Sequence, residues 1–477
     1  MRALACSLLC ALGSLAAREV PVVDVAALEK ACAGAQPGDV LVMADGTWKD
    51  AEILFRANGT AGAPVTLRAQ TPGKVILSGA SSLRFVGSHL VVDGLLFQNG
   101  FVDSGHVIAF RGDSDEEASD CRLTNTAIID YNPPAGTESS TKWVSVYGAR
   151  NRVDHCFFKG KANRDQVITV WLNGRPNDHR IDWNYFGDRP ALGKNGGEII
   201  RIGDSKTSME ISRTTVEHNV FERCDGEAEI VSNKSCENVY RHNTFRESAG
   251  ALTLRHGNNC LVESNYFLGG GKPGSGGVRI IGEGHRVLNN YFADLGGEEF
   301  FSAIGFMACI PNSEPSGYLQ IKKAIVAFNT VVNCRSSLYF GIGFGSRGRE
   351  LPAIDCVIAN NVVVNAEMPL VATKVVPVNA RWEGNFFFGK AGELPAKDGV
   401  SLGDPLLVRG ADGLWTPGPN SPVRGAAQGS FPELTADILG RPRKAPLDSG
   451  SFQPSSAPGR FPPLSSRDVG PDWMKGG

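Results

Sequence analysis

Along the second half of the chain one pattern of apolar and polar positions keeps returning. It runs apolar, two variable positions, Asn, one variable position, then an aromatic or aliphatic residue. It reads RIDWNYF around Asn184, TVEHNVF around Asn219, VYRHNTF around Asn243 and LVESNYF around Asn265. It continues as RVLNNYF around Asn290, IVAFNTV around Asn329, VIANNVV around Asn361 and ARWEGNFF around Asn385. Weaker copies precede these: RLTNTAI at Asn125, and RVDHCFF with Cys156 in the Asn place. From Asn219 the spacings are 24, 22 and 25 residues, and Asn361 to Asn385 is 24 again. The gaps from Asn290 to Asn329 and from Asn329 to Asn361 are longer, as inserted loops would make them.

A period of about 22 to 25 residues matches one coil of a parallel β-helix, three short strands joined by three turns. Leucine-rich repeats share that period but need a Leu ladder that is absent. The sequence therefore predicts an all-β fold, a single-stranded right-handed parallel β-helix. In it the recurrent Asn side chains line up and hydrogen-bond along the axis, and the following residues stack in the core. The Asn is thus structural, not catalytic. At the start, Asp24 can N-cap a short helix over VAALEKACAGA, with Ala27, Leu28, Ala31 and Cys32 on one face. That helix covers the open end of the first coil. The phrase is lost over 395–453, read as a C-terminal capping segment, and 454–477 is a Pro/Ser-rich tail expected to be loosely ordered. No second domain is expected.

Composition agrees with this reading. There are 57 Gly, aromatics are 8% and apolar residues are 42%, which suits many short strands and tight turns. Net charge is −2, so no basic field marks a nucleic-acid binder, although a local basic groove can still take an acidic partner. Residues 1–17, MRALACSLLCALGSLAA, read as a signal peptide cleaved near Ala16 or Ala17, which implies a secreted or periplasmic protein. The alternative is a buried N-terminal helix. No later apolar run is long enough to span a bilayer. Nine cysteines follow the signal, an odd number without any C-x-x-C pair, and read as buried free thiols, with one or two disulfides as the alternative. The stretch Gly343 to Gly348 matches a dinucleotide fingerprint only formally, because no helix opens after it. Nothing in the sequence sets an oligomeric state.

The most unusual charge pattern lies in 195–285. In CDGEAEIVSNKSCEN, Glu227 and Glu229 are two apart, so a strand points both to one face. Like charges there repel unless a cation or protons separate them. With the amide of Asn195 they make a hard, oxygen-rich site suited to Ca²⁺. Lys234 follows five residues after Glu229, Arg255 lies 21 after Lys234, and Arg279 lies 24 after Arg255. Stacking would place these three cations, with His256, in one column on neighbouring coils.

These residues resemble polysaccharide lyase family 6, which contains alginate lyases and chondroitinase B. The resemblance is carried by Glu227-Ala228-Glu229-Ile230, by Lys234-Ser235, by LTLRHG through Arg255 and His256, and by KNGGEIIRIG around Asn195. PGD-x-x-x-x-ADGTW, VVDGLLFQNG, GSRGRELP and DILGRPRKAPLDSG extend it over roughly residues 24 to 453. It implies a lyase that cuts an acidic, uronate-containing glycan by β-elimination, leaving 4,5-unsaturated products. It implies Lys234 as base, Arg255 as acid, and Asn195, Glu227 and Glu229 as Ca²⁺ ligands. His256 and Arg279 then bind substrate near the scissile bond, and Arg201, Arg347 and Arg349 bind carboxylates further away.

The chemistry supports these roles separately. The C5 proton beside an ionised carboxylate is weakly acidic, and a divalent cation on that carboxylate stabilises the developing enolate. An amine beside a guanidinium and a divalent ion loses its proton more readily than a free one. Arg is an awkward proton donor, since its pKa exceeds about 12; charge stabilisation with water as donor is the variant. Alginate is the expected substrate and dermatan sulfate the alternative. A β-helix glycosidase using a carboxylate pair and a non-catalytic glycan-binding β-helix are the rival classes.

Overall fold

The structure is a computed structural model and describes residues 18–113, 115–394 and 398–475; the segment 1–17, read from the sequence as a signal peptide, lies outside them. The chain winds as a right-handed parallel β-helix. Each coil gives one strand to each of three long sheets, of 14, 12 and 14 strands. The 12-stranded sheet is called the site sheet below. Among the described residues no helix is long and apolar enough to cross a membrane.

The Asn phrase does what its period predicts. Asn243 Nδ2 donates to Asn265 Oδ1 (2.9 Å) and to the Val216 carbonyl (2.9 Å), and its Oδ1 accepts from Asn219 Nδ2 (3.0 Å) and N (3.1 Å). The same links join Asn184 to Asn219, then Asn265 through Asn290, Asn329 and Asn361 to Asn385. At Cys156 the backbone N–H still donates to Asn184 Oδ1 (2.9 Å). The residue before each Asn turns the corner in the left-handed region: Trp183, His218, His242, Ser264 and Asn289 have φ of 57°, 55°, 54°, 55° and 59°. That conformation is costly for residues with a Cβ, and the buried amide ladder behind it holds it in place. Two positions after the Asn, Phe186, Phe221, Phe245, Phe267 and Phe292 stack with centroids 4.5–5.0 Å apart.

The N-terminal helix spans Val25–Ala33, with Asp24 accepting from Ala27 N at 2.7 Å and Leu28 and Cys32 buried. All nine cysteines of the described residues are free and buried. The two long gaps in the Asn spacing are loops, 308–320 and 343–353, which leave the site sheet after Ile304–Met307 and Leu338–Ile342.

The C-terminal part does more than close the last coil, onto which Val400–Leu402 pairs. Much of the 395–453 segment packs along the flank: Leu414, Ile438 and Phe452 meet Tyr266 and Tyr291, while Phe431 and Leu434 meet Phe328 and Ala359. The tail, expected to be loose, is a docked strap that runs back toward the first coils. Phe461 packs on His218 and His242, Leu464 N donates to Thr244 Oγ1 (2.8 Å), Gly470 N to the Trp183 carbonyl (2.8 Å) and Trp473 Nε1 to the Asn125 carbonyl (2.8 Å). Pro and Ser suit this role, because an extended strap needs no strand partner. Its apolar anchors outweigh the composition. Ending the chain after Ser455 is expected to lower stability by about 2–5 kcal/mol, since Leu464, Val469 and Trp473 lose their burial while ordering entropy is recovered. Denaturant titration checks this; an unchanged midpoint would show the strap to be passive.

Candidate active site

The site grows from two irregular strands. Glu229–Lys234 pairs with Gly250–His256 as Glu229↔Ala251, Val231↔Leu252, Ser232↔Thr253, Asn233↔Leu254 and Lys234↔His256. The register jumps twice, so Arg255 is the extra residue of a bulge opposite the Asn233–Lys234 step. A bulge re-aims a side chain that a flat ladder would bury. It brings Lys234, Arg255 and His256 together, and both cations disfavour the charged imidazole. Burial is the larger cause, and together they lower the His256 pKa to about 3. At neutral pH His256 is thus an uncharged hydrogen-bonding group, with Ser208 Oγ 3.1 Å from its Nδ1.

Arg255 is held from outside the sheet. Its Nη1 donates to the Gly317 carbonyl (2.6 Å), and its guanidinium lies 4.4 Å from the Tyr318 ring centroid. Arg349 lies 5.0 Å from the same centroid. Arg349 is buried and donates to the Gly343 carbonyl (3.1 Å) and Ser346 Oγ (3.2 Å), so it braces its own loop. Arg347 is exposed at the tip of that loop with φ 54°. Tyr318 gave no signal in the sequence because it lies 63 residues beyond Arg255, in an insertion.

Arg279 departs from the expected column. Where Gly250–His256 pairs with Ser275–Ile280 it stands opposite Thr253, two positions from Arg255. It is buried, pairs with Glu229 and lies 5.4 Å from the Phe300 ring centroid. Arg201 stands opposite Ser232 and Thr169, on the same line as Arg279.

Beside these cations lies the acidic group. Glu227 Oε2 accepts from Gly196 N at 2.9 Å. Gly197 and Gly226 let the two coils touch here, since a Cβ on Gly197 would fall 2.3 Å from the Gly226 carbonyl oxygen. Asn195, exposed, adjoins that contact. The sequence reading missed Glu198, although it lies three residues after Asn195 in the same segment. It is buried and accepts from Gln166 Nε2 at 2.7 Å. Burial, then the charges of Glu198 and Glu229, push the Glu227 carboxyl up to about 7. That marks negative charge without enough compensation. Arg189, buried, ties the segment down by donating to the carbonyls of Asp165 (2.7 Å), Gly196 (3.2 Å) and Glu198 (2.9 Å).

The donor chemistry of Asn195, Glu198, Glu227 and Glu229 fits a hard divalent cation. As the side chains stand, no three acidic or histidine groups among the described residues converge closely enough to hold one. Glu229 is engaged by Arg279 and by the Ser232 hydroxyl, so a cation would compete with Arg279 for it.

The chain is similar to several known proteins. The sequence model of the chondroitinase B family matches residues 22–393. Among solved structures, the family 6 alginate lyase AlyGC is 37% identical with a TM-score of 0.84 over 95% of this chain. The chain spans 58% of AlyGC's length. A mannuronic acid specific family 6 lyase from human gut microbiota is 34% identical, TM-score 0.73, over 81% of this chain and 91% of that one. A family 6 lyase from Pseudopedobacter saltans is 27% identical, TM-score 0.68, over 96% and 99%. No curated protein matches. The chain belongs to the chondroitinase B family, the family 6 polysaccharide lyases.

Proposed function

We propose that this chain cleaves a uronate polysaccharide, alginate before dermatan sulfate, by β-elimination. The observation that carries the reading is the bulge that sets Lys234 and Arg255 side by side next to an under-compensated carboxylate group. The alginate lyases among its relatives favour alginate, and export through the N-terminal segment suits a polymer too large to enter a cell.

Lys234 takes the C5 proton of the uronate. The electron pair left at C5 forms the C4–C5 double bond as the C4–O4 bond breaks. Arg255, fixed by Gly317 and Tyr318, faces the departing O4 and stabilises its charge, with water able to deliver the proton. Neutral His256 hydrogen-bonds the sugar, and Arg279 and Arg201 offer their guanidiniums to carboxylates. Ca²⁺, held by Asn195, Glu227 and Glu229 with Glu198, would neutralise the substrate carboxylate when bound.

The test is a panel of polymannuronate, polyguluronate, mixed alginate, dermatan sulfate and pectate, followed by the ultraviolet absorbance of the new double bond. Strong signal from an alginate supports the reading. Signal from dermatan sulfate alone would shift the substrate, and silence on every polymer would end the lyase proposal.

Glu227 sets a pH dependence. Its folded pKa lies above the unfolded value, so the protonated form favours folding at low pH, and that contribution is lost as pH rises through about 7. Cation binding needs the ionised form and releases that proton. Calcium affinity is therefore expected to rise between about pH 6 and about pH 8, with proton release at the lower pH. Calorimetry in buffers of different ionisation heat measures both; equal affinities without proton release would contradict it.

A further inference from the structure

We propose that a strip of the site sheet's outer face, Arg111–Tyr147–Trp171–Arg201, is an extended binding site for consecutive uronate residues on one side of the scissile bond. This rests on the lyase reading above and adds to it a direction and a length.

The register places the strip. The strand pairs Ala109↔Ser145, Val146↔Val170, Val170↔Ile202 and Ile202↔Asn233 set Arg111, Tyr147, Trp171, Gly203 and Lys234 one after another on a single line. Arg111 lies 4.4 Å from the Tyr147 ring centroid, the Tyr147 and Trp171 rings stack at 5.8 Å and 10°, and Arg201 lies 5.3 Å from the Trp171 centroid. Gly203 leaves the line bare between Trp171 and Lys234; a Cβ there would fall 2.6 Å from the Lys234 carbonyl oxygen. Four strand steps of about 4.8 Å carry the line about 19 Å from the base, room for several sugars.

The lack of acidic partners for these arginines is what points to a ligand. On a neighbouring sheet, arginine is matched with acid coil by coil: Arg122 with Asp154, Arg152 with Asp182 and Arg241 with Glu217, each at 2.6 Å. On the strip, among the described residues, neither Arg111 nor Arg201 has a carboxylate partner. Arg201 Nε is buried with no hydrogen-bond partner at all. Glu117, whose charge reaches Tyr147, is hydrogen-bonded to the Asn173 amide (2.5 Å) instead of to Arg111. Two guanidiniums held on aromatic faces, with donors unspent, suit a chain bearing one carboxylate per sugar. Lys142, 5.8 Å from the Trp171 centroid, is already paired with Asp165 (2.9 Å) and is not counted.

The experiment compares a uronate trisaccharide with the polymer. Arg111→Ala is expected to lower kcat/KM on the polymer about ten-fold and on the trisaccharide much less, so the polymer-to-trisaccharide ratio collapses. Trp171→Leu is expected to do the same. Arg150→Ala, whose guanidinium is paired with Asp120 away from the strip, keeps the parental ratio. A second arm measures binding alone, with Arg111→Ala added to Lys234→Ala and polyuronate titrated by calorimetry. Weaker polymer binding in the double variant supports the strip. An unchanged ratio, unchanged polymer affinity, or no polyuronate binding overturns it. A parent that cuts no polyuronate instead defeats the lyase reading, and the binding arm still judges the strip.

Discussion

Lys234→Ala is expected to lower kcat on the best polyuronate by about 10²- to 10⁴-fold, the range that a positioned proton-transfer group contributes. The loss should fall on kcat more than on KM, because the amine acts in the transition state and contributes little to holding the polymer. Its fold should survive. The Lys234 amine has no hydrogen bond or ion pair among the described residues, so removing it leaves no buried partner exposed. Arg255→Ala should approach the same loss, but it also frees the 308–320 loop that the guanidinium anchors through Gly317. The pair of variants therefore separates chemistry from bracing. A Lys234→Ala enzyme that still releases unsaturated product at near-parental rate would remove the base assignment.

Asn243→Ala is expected to cost about 3–5 kcal/mol of stability. The amide is fully buried and takes part in four hydrogen bonds with Val216, Asn219 and Asn265. Alanine would strand the Asn219 donors and the Val216 and Asn265 acceptors where water does not reach, and each such orphan costs about 1–3 kcal/mol. Relaxation and an admitted water recover part of the sum. Equilibrium unfolding in denaturant gives the difference. A loss under about 1 kcal/mol would show that the ladder is tolerated decoration rather than a determinant of the coil.

What could be read from the chain follows from how each feature is encoded. The coil announces itself because every turn of it needs the same buried amide at the same corner, so Asn recurs from Asn184 to Asn385. The grouping of the candidate residues was legible for the same reason: Glu227, Glu229 and Lys234 sit on one coil, and Arg255 and His256 on the next. Their exact alignment was not, because a bulge is one residue out of step and leaves no compositional mark. Arg279 shows it: the irregular pairing of Gly250–His256 with Ser275–Ile280 sets it opposite Thr253, where it meets Glu229 and not Arg255. Tyr318 was out of reach for another reason, and Arg349, though named from the sequence, could not be placed against it. Their positions depend on how two loops fold back over the sheet, and loop paths carry no period. Glu198 was in plain view but lacked a partner at spacing two. The strap misled through composition, since Pro and Ser serve a loose linker and an extended docked segment equally well.

That strap has a consequence for how the molecule is made. Coils can stack in the order in which they are synthesised, each settling on the one before. The strap breaks that order, because Asp472 N donates to Asn125 Oδ1 (3.1 Å) across 347 positions of sequence. The early coils therefore wait, incompletely covered, until residues 461–473 have emerged. A chain cut short before residue 461 would show that bare flank to proteases, whereas one that carries the strap hides it.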